Sequence, residues 1–339
     1  MKAFYIVEPF KLEMREIDKP KLKSSEDVLV QVMRGGICGS DMHNYHGVSS
    51  GIAYPLIAGH EMAGKVVEVG ENAKDFAPGD HVIMNPVIAC GECYPCSIGR
   101  ENVCENLKAR GAHHDGCFSE FIVINRNRLH KISKEISWDI AALVEPFTIA
   151  GHSTSLANVH EGDVVYIAGA GPIGICIAMV CKMLGATVII SDLVQERLDL
   201  AKIQGADFIV NSNMNSVEQV LMDNDLHGIT VAIDAAGVPE IFVSFFDLVL
   251  PAGRIVSLGF SDKPVPFKQV QITKKELSIF GSRLSANQFP RVIEWFEKGL
   301  IDPRPLISNI FDFDDAAKAI EEVDKNPSTN CKVLLKFKD

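Results

Sequence analysis

Short apolar runs broken by glycine, proline and acidic turns fill the chain from Met1 to about Phe76. DVLVQVMRGGICGSD reads as a strand entering a loop, GKVVEVG as a second strand, and PGDHVIM as a turn followed by a strand. Many short strands with no long helical period predict an antiparallel, barrel-like unit. From Gly162 the texture changes. Val164 to Ala168, VVYIA, is a continuous apolar run of the kind buried in a parallel sheet. It runs into Gly169, Gly171 and Gly174, and Pro172 stands where a helix would start, since its fixed φ suits a first turn. ICIAMVCKMLGA continues that helix, and ATVIISD is the next strand, ending at Asp192. DFIV, TVAIDAAG, GRIVSLGF and LSIFGSR extend the alternation. In the tail, NQFPRVIEWFEKGL and DDAAKAIEEV read as amphipathic helices and KVLLKF as a last strand. The predicted organisation is α/β with two domains: residues 1–146 with 284–339, the tail rejoining the first part, and residues 147–283 between them.

A length of 339 residues agrees with two cores. The formal net charge of −11 excludes the basic face that nucleic acid needs, and says nothing against a small substrate. MKAFYIVEPFKLEMREI has no signal-peptide apolar core, and the apolar stretch Ile173 to Ile190 is interrupted by Lys182, so no membrane span is expected. The expected compartment is cytoplasmic, where nine cysteines mean metal ligands or core thiols more often than disulfides.

Cysteine spacing then changes the picture. ACGECYPCSIGRENVC, in the lobe 89–105, holds Cys90, Cys93, Cys96 and Cys104, with Gly91, Pro95 and Gly99 for sharp turns. Four thiolates at this density match a closed, structural zinc site. Cys117, Cys176, Cys181 and Cys331 lack partners at ligand spacing and are expected to be buried thiols. A different donor set appears in GICGSDMHNY and AGHEMAG, which bring Cys38, His60 and Glu61 close in sequence. A thiolate, an imidazole and a carboxylate suit a catalytic zinc with an open position. Glu145, in LVEPFTIAGH, is a further carboxylate in an apolar setting that calls for a metal or a cation.

The glycine pattern G-x-G-x-x-G sits between a strand and a helix, with an acid at the end of the next strand, which is the context of dinucleotide binding. The cofactor residues read here are Gly169, Gly171, Pro172, Ile173, Gly174, Asp192 and Arg197. Asp192 is expected to accept hydrogen bonds from ribose hydroxyls and to repel a 2′-phosphate, which selects NAD.

With GICGSD, GHE, the four-cysteine lobe, VEPF and GAGPIG in that order, the chain resembles the zinc-containing medium-chain dehydrogenase/reductase family over its whole length. The resemblance implies a GroES-like β-barrel catalytic domain with an inserted Rossmann doubly wound parallel sheet. It also implies two Zn2+ per chain, NAD, a small-molecule substrate, and a homodimer or homotetramer. VEPF resembles the polyol, threonine and sugar-acid branch. By motif position Cys38, His60 and Glu61 are zinc-site residues, while Glu145 binds directly or through water. Ser40 stands where the family carries a proton-relaying hydroxyl, and His43 where threonine dehydrogenases carry a relay histidine. The alternatives for them are a turn-capping serine and a surface or structural histidine; His46 and His81 read as structural. GSRLSANQFPRVIEW is similar to starvation-sensing-type and L-galactonate- or L-gulonate-oxidising dehydrogenases, which points to a hexonate held by Arg283, with His113 (or His114) as a further donor. The rival enzymatic readings are an L-threonine 3-dehydrogenase and a sorbitol- or galactitol-type dehydrogenase. A non-catalytic zinc- and nucleotide-binding regulator and a metal-free quinone or enone reductase are the other classes. Turnover with a polyol panel separates the former, and metal content the latter.

Overall fold

A computed structural model describes residues 1–338. The chain forms two compact units, Met1–Glu145 with the segment from Phe289 onward, and Pro146–Gln288.

In chain order the first unit supplies strands β1 (Lys2–Glu8), β2 (Lys11–Glu16), β3 (Asp27–Ile37), β4 (Leu56–Ile57), β5 (Glu61–Val69), β6 (His81–Met84), β7 (Val87–Ile88), β8 (Lys108–Ala109), β9 (Phe121–Asn125) and β10 (Leu129–Lys131). Between and after them come helices α1 (Gly39–Tyr45), α2 (Tyr94–Ser97) and α3 (Trp138–Ala141), and α4 (Val144–Leu156) begins in this unit and continues into the second. The second unit alternates β11 (Val164–Ala168), α5 (Pro172–Met183), β12 (Thr187–Asp192), α6 (Gln195–Ile203), β13 (Phe208–Asn211), α7 (Val217–Asp223) and β14 (Ile229–Asp234). It ends with α8 (Pro239–Leu248), β15 (Val249–Ser257), α9 (Gln269–Lys275) and β16 (Ser278–Gly281). The chain then returns to the first unit with α10 (Phe289–Glu297), β17 (Ile307–Asp312), α11 (Ala316–Lys325) and β18 (Lys332–Lys336).

The large sheet of the first unit runs β10-β6-β5-β3-β18-β17, with β9 also on β3. Its centre, β3, is buried along nearly its whole length, because β5, β9 and β18 all pair with it. Phe4, Phe118 and Phe337 are fully buried here; removing such a side chain from water contributes about 1.5–3 kcal/mol. The loop read after β3 is in fact helical. Asp41, three residues after Cys38, accepts the Cys38 N–H at 2.9 Å and so caps α1 from within. VEPFTIAGH, left unassigned by its pattern, begins α4. Near the end, α10 buries Phe289, Val292, Ile293 and Phe296, the i, i+3, i+4, i+7 spacing of an amphipathic helix.

The second unit has a parallel six-stranded sheet in the order β13-β12-β11-β14-β15-β16. That is the doubly wound order whose strand direction of travel reverses beside β11. LSIFGSR is strand only as far as Gly281, so Arg283 lies beyond its end. No helix among the described residues is long and apolar enough to cross a membrane.

Candidate active site and metal centres

Two ladders of the first unit bring the separated motifs together. Glu61 opens β5 opposite Gly36 of β3, and Cys38 follows the end of β3 as the N-cap of α1. One potential ligand atom each from Cys38, His60 and Glu61 lie within 4.8 Å of one another. Asp41 ties the segments: one carboxylate oxygen accepts the Cys38 N–H at 2.9 Å, the other accepts the Gly59 N–H at 3.0 Å. The latter oxygen stands 3.7 Å from His60 Nδ1. Burial pushes the His60 pKa down, but the charges of Asp41 and Cys38 outweigh it and raise it well above the usual value. The cluster is therefore a place where positive charge is stabilised. Glu61 is fully buried, and its Oε2 has no hydrogen-bond partner among the described residues. An orphaned buried carboxylate oxygen beside a thiol and an imidazole fits a metal ion.

Glu145 stands outside the 4.8 Å group. It is buried in the first turn of α4. Burial raises its pKa to about 7; His60 opposes the rise, Glu61 adds to it and Lys332 opposes it. Ser40 and His43 are both exposed on α1. Sequence reasoning missed two residues here. Asp41 was in view as the last letter of GICGSD. Lys332 is almost fully buried on β18 and donates through Nζ to Glu61 Oε1; its only signal was a lysine opening an apolar strand.

The cysteine lobe is already folded around a point. Sulfur–sulfur distances are 3.4 Å for Cys93–Cys96, 3.8 Å for Cys93–Cys104 and 3.5 Å for Cys104–Cys90. Four thiolates at about 2.3 Å from a tetrahedral zinc would be about 3.8 Å apart. Backbone N–H groups of Glu92 and Cys93 lower the Cys90 pKa to about 6, while desolvation raises Cys96 to about 12. The N–H groups of Cys90 and Asn106 donate to Cys104 Sγ, each at 3.3 Å. Such donors favour thiolate, the form a metal binds. None of the nine cysteines forms a disulfide; Cys117, Cys176 and Cys181 are buried, whereas Cys331 is only partly so, against the expectation for it.

In the second unit, Gly169 turns the chain at φ +100°, and a Cβ on Gly174 would lie 1.9 Å from the Gly169 carbonyl oxygen. Both positions need glycine to seat α5 against the strand. Gly171, the N-cap of α5, faces open space, with nothing within 4 Å of where a Cβ would stand, and Pro172 and Ile173 begin the helix. This open, glycine-lined helix start fits a pyrophosphate. Asp192 Oδ2 accepts the Ala170 N–H at 2.8 Å, and Oδ1 accepts those of Leu193 and Val194 at 2.8 and 3.0 Å. Arg197 lies 3.8 Å from Oδ2. A carboxylate has about four acceptor sites, so the loop fixes Asp192 and leaves room for a further donor.

Arg283 is exposed, its guanidinium 5.3 Å from the centre of the Phe260 ring. His113 is exposed in the first unit, with Nδ1 accepting the Ala109 N–H at 3.2 Å. His46 pairs with Asp324 at 2.7 Å, and His81 packs against Trp138 with ring centres 3.8 Å apart and planes tilted by 31°.

Residues 24–134 match the alcohol dehydrogenase GroES-like domain, and residues 172–298 match the zinc-binding dehydrogenase domain. The starvation-sensing protein RspB of Escherichia coli K12 is 42% identical over 343 aligned residues, with 100% of both chains covered. Sorbitol dehydrogenase of Bacillus subtilis is 30% identical, covering 99% of this chain and 97% of its own. Among solved structures, the short chain alcohol dehydrogenase (rspB) of Escherichia coli CFT073, complexed with NADH, superposes with a TM-score of 0.94 at 42% identity, covering 99% of each chain. The GroES-like and parallel-sheet units, the cysteine lobe and this similarity along the full length have one meaning: the chain belongs to the zinc-containing medium-chain dehydrogenase/reductase family, oxidoreductases that act on alcohol groups with a nicotinamide cofactor.

Proposed function

We propose that the chain oxidises a secondary alcohol of a polyhydroxy acid, a hexonate such as L-gulonate or L-galactonate, with NAD as the oxidant. The observation that carries the alcohol chemistry is the Cys38, His60, Glu61 group, whose donor atoms lie within 4.8 Å of one another and whose carboxylate keeps one buried oxygen without a hydrogen-bond partner among the described residues. Zinc bound there would supply Lewis acidity that lowers the hydroxyl pKa, and bound NAD would supply the hydride acceptor. Cys38 and His60 would hold the metal, with the Asp41 carboxylate, 3.7 Å from His60 Nδ1, helping to orient the imidazole. Glu61 and Glu145 complete the acidic side of the site. Ser40 Oγ takes the substrate proton towards solvent, followed by His43, and the exposure of both supports that direction. The N-terminal amides of α5 bind the pyrophosphate, Asp192 binds the ribose and Arg197 flanks it. The Cys90, Cys93, Cys96, Cys104 zinc is structural. Cytoplasmic action is supported by nine cysteines without a disulfide.

For the acid group the reading takes Arg283, whose planar guanidinium suits two parallel hydrogen bonds to a carboxylate, with His113 as an added donor. The exposed cation at the end of β16 supports it. The unpaired outer edge of β16, with Ile279 38% exposed, supports a homodimer or homotetramer. The test compares NAD reduction with L-gulonate, L-galactonate, sorbitol, galactitol and L-threonine, in the wild type and in Arg283→Met. A hexonate should be the best substrate, and the substitution should lower its kcat/KM at least about tenfold more than that of a polyol. A preference for sorbitol or threonine discards the sugar-acid reading; equal losses on acids and polyols remove Arg283 from it.

A further inference from the structure

Lys332 is the one charge on β18 that the fold encloses: it is 2% exposed, and its partner Glu61 is 0% exposed. They come from opposite sides of a central strand. Glu61 of β5 lies opposite Gly36 of β3, and on the other flank of β3, Val333 of β18 lies opposite Ile37. Lys332 Nζ reaches Glu61 Oε1. Gly36 makes the meeting possible, since a Cβ there would lie 2.1 Å from Glu61 Oε2. That second oxygen is buried and has no hydrogen-bond partner among the described residues. The Glu61 carboxylate is thus held by an ammonium at Oε1, while one of its oxygens lies within 4.8 Å of the donor atoms of Cys38 and His60.

A buried carboxylate gains most from the nearest cation, and an ammonium and a metal ion compete for the same negative charge. We propose that Lys332 is a positioning residue that restrains Glu61, keeping it a weak and releasable ligand of the metal held by Cys38 and His60. The restraint has two parts. The ammonium fixes Oε1, which limits how far the carboxylate can swing, and it cancels much of the charge that a metal would otherwise draw on. Glu61 then stays beside the metal without closing the position that a substrate hydroxyl needs. The inference rests on the reading of Cys38, His60 and Glu61 as a metal site.

The experiment measures zinc affinity by competition with a chromophoric chelator, and cobalt(II) absorption spectra, on the full chain. The variants are Lys332→Met, Lys332→Gln, Glu61→Gln, the double variant Lys332→Met with Glu61→Gln, and Cys38→Ser. Removing the ammonium should tighten metal binding at this site about tenfold or more, the range typical of residues that support a ligand. The cobalt bands should shift as the freed carboxylate binds. In the Glu61→Gln background the same substitution should change affinity about threefold or less, because the restrained group is gone. Lys332→Gln keeps a donor over Glu61 and preserves the test if the methionine variant does not fold. Unchanged or weaker binding in the folded lysine variant overturns the proposal, as does an equal gain without Glu61. Cys38→Ser separates the two levels. If it keeps the full metal content, the metal-site reading itself fails; if it loses one equivalent while the lysine variants bind as the wild type does, only the restraint fails.

Discussion

Single residues decide the chemistry, and they differ in how openly the sequence displays them. Asp192 stands out in the sequence because an acid at the end of the second strand of a βαβ unit is where a ribose contact is expected. Its carboxylate is anchored by the backbone N–H groups of Ala170, Leu193 and Val194. Asp192→Ser should therefore lower the preference for NAD over NADP by roughly tenfold or more, the effect of about 1.5–3 kcal/mol lost with hydrogen bonds to a charged group. Comparing kcat/KM for the two cofactors checks it, and a wild-type enzyme that already prefers NADP contradicts the account of this position. Asp41 was quoted in its motif but carried no role, because its hydrogen bond to Gly59 and its approach to His60 exist only after β5 has paired with β3. Lys332 was less legible still. Its partner is 271 positions away, and nothing local in KVLLKF reveals that the lysine faces inward.

At the scale of elements, periodicity served well where it was long. The alternation of strands and helices from β11 to β16 follows from continuous apolar runs and glycine turns, and the α10 stripe from its helical spacing. The short elements escaped it. α1 spans seven residues and owes its start to the Asp41 side chain, so no periodic pattern could announce it. The cysteine lobe was legible by spacing alone, and its sulfurs do converge. Cys96→Ser should lower zinc content by one equivalent and reduce the melting temperature while leaving the other metal site filled, since metal binding to such a lobe contributes folding free energy. Unaltered stoichiometry and melting would refute the assignment. A pH effect belongs to the docking of α10. His130 stacks on Phe289 at 4.8 Å, and burial first, then Arg128, lowers its pKa to about 4. The folded value lies below the unfolded value of about 6.5, so the fold disfavours the protonated ring. This contribution is fully present above about pH 6.5 and is lost as pH falls towards about 4, amounting to about 2–3 kcal/mol. His130→Phe should flatten the melting curve against pH in that window; a slope parallel to the wild type would exclude His130 as its source.

For the whole molecule, the formal charge of −11 bears on solubility and association rather than on a small substrate, which meets only the charges around its site. The chain carries a four-cysteine lobe and a second group, Cys38, His60 and Glu61, each able to hold a metal ion, and its parallel-sheet unit has a glycine-lined start of α5 that fits a nucleotide. The central claim is that this second group is where alcohol chemistry happens. The direct measurement is metal content, NAD binding and NAD reduction on the same preparations of wild type and His60→Ala. Loss of a metal-supplied several kcal/mol corresponds to about a thousandfold or more in rate. The account predicts that His60→Ala keeps the lobe zinc, loses the other metal, still binds NAD and falls in kcat by at least that factor; a variant with wild-type turnover after losing that metal would contradict it.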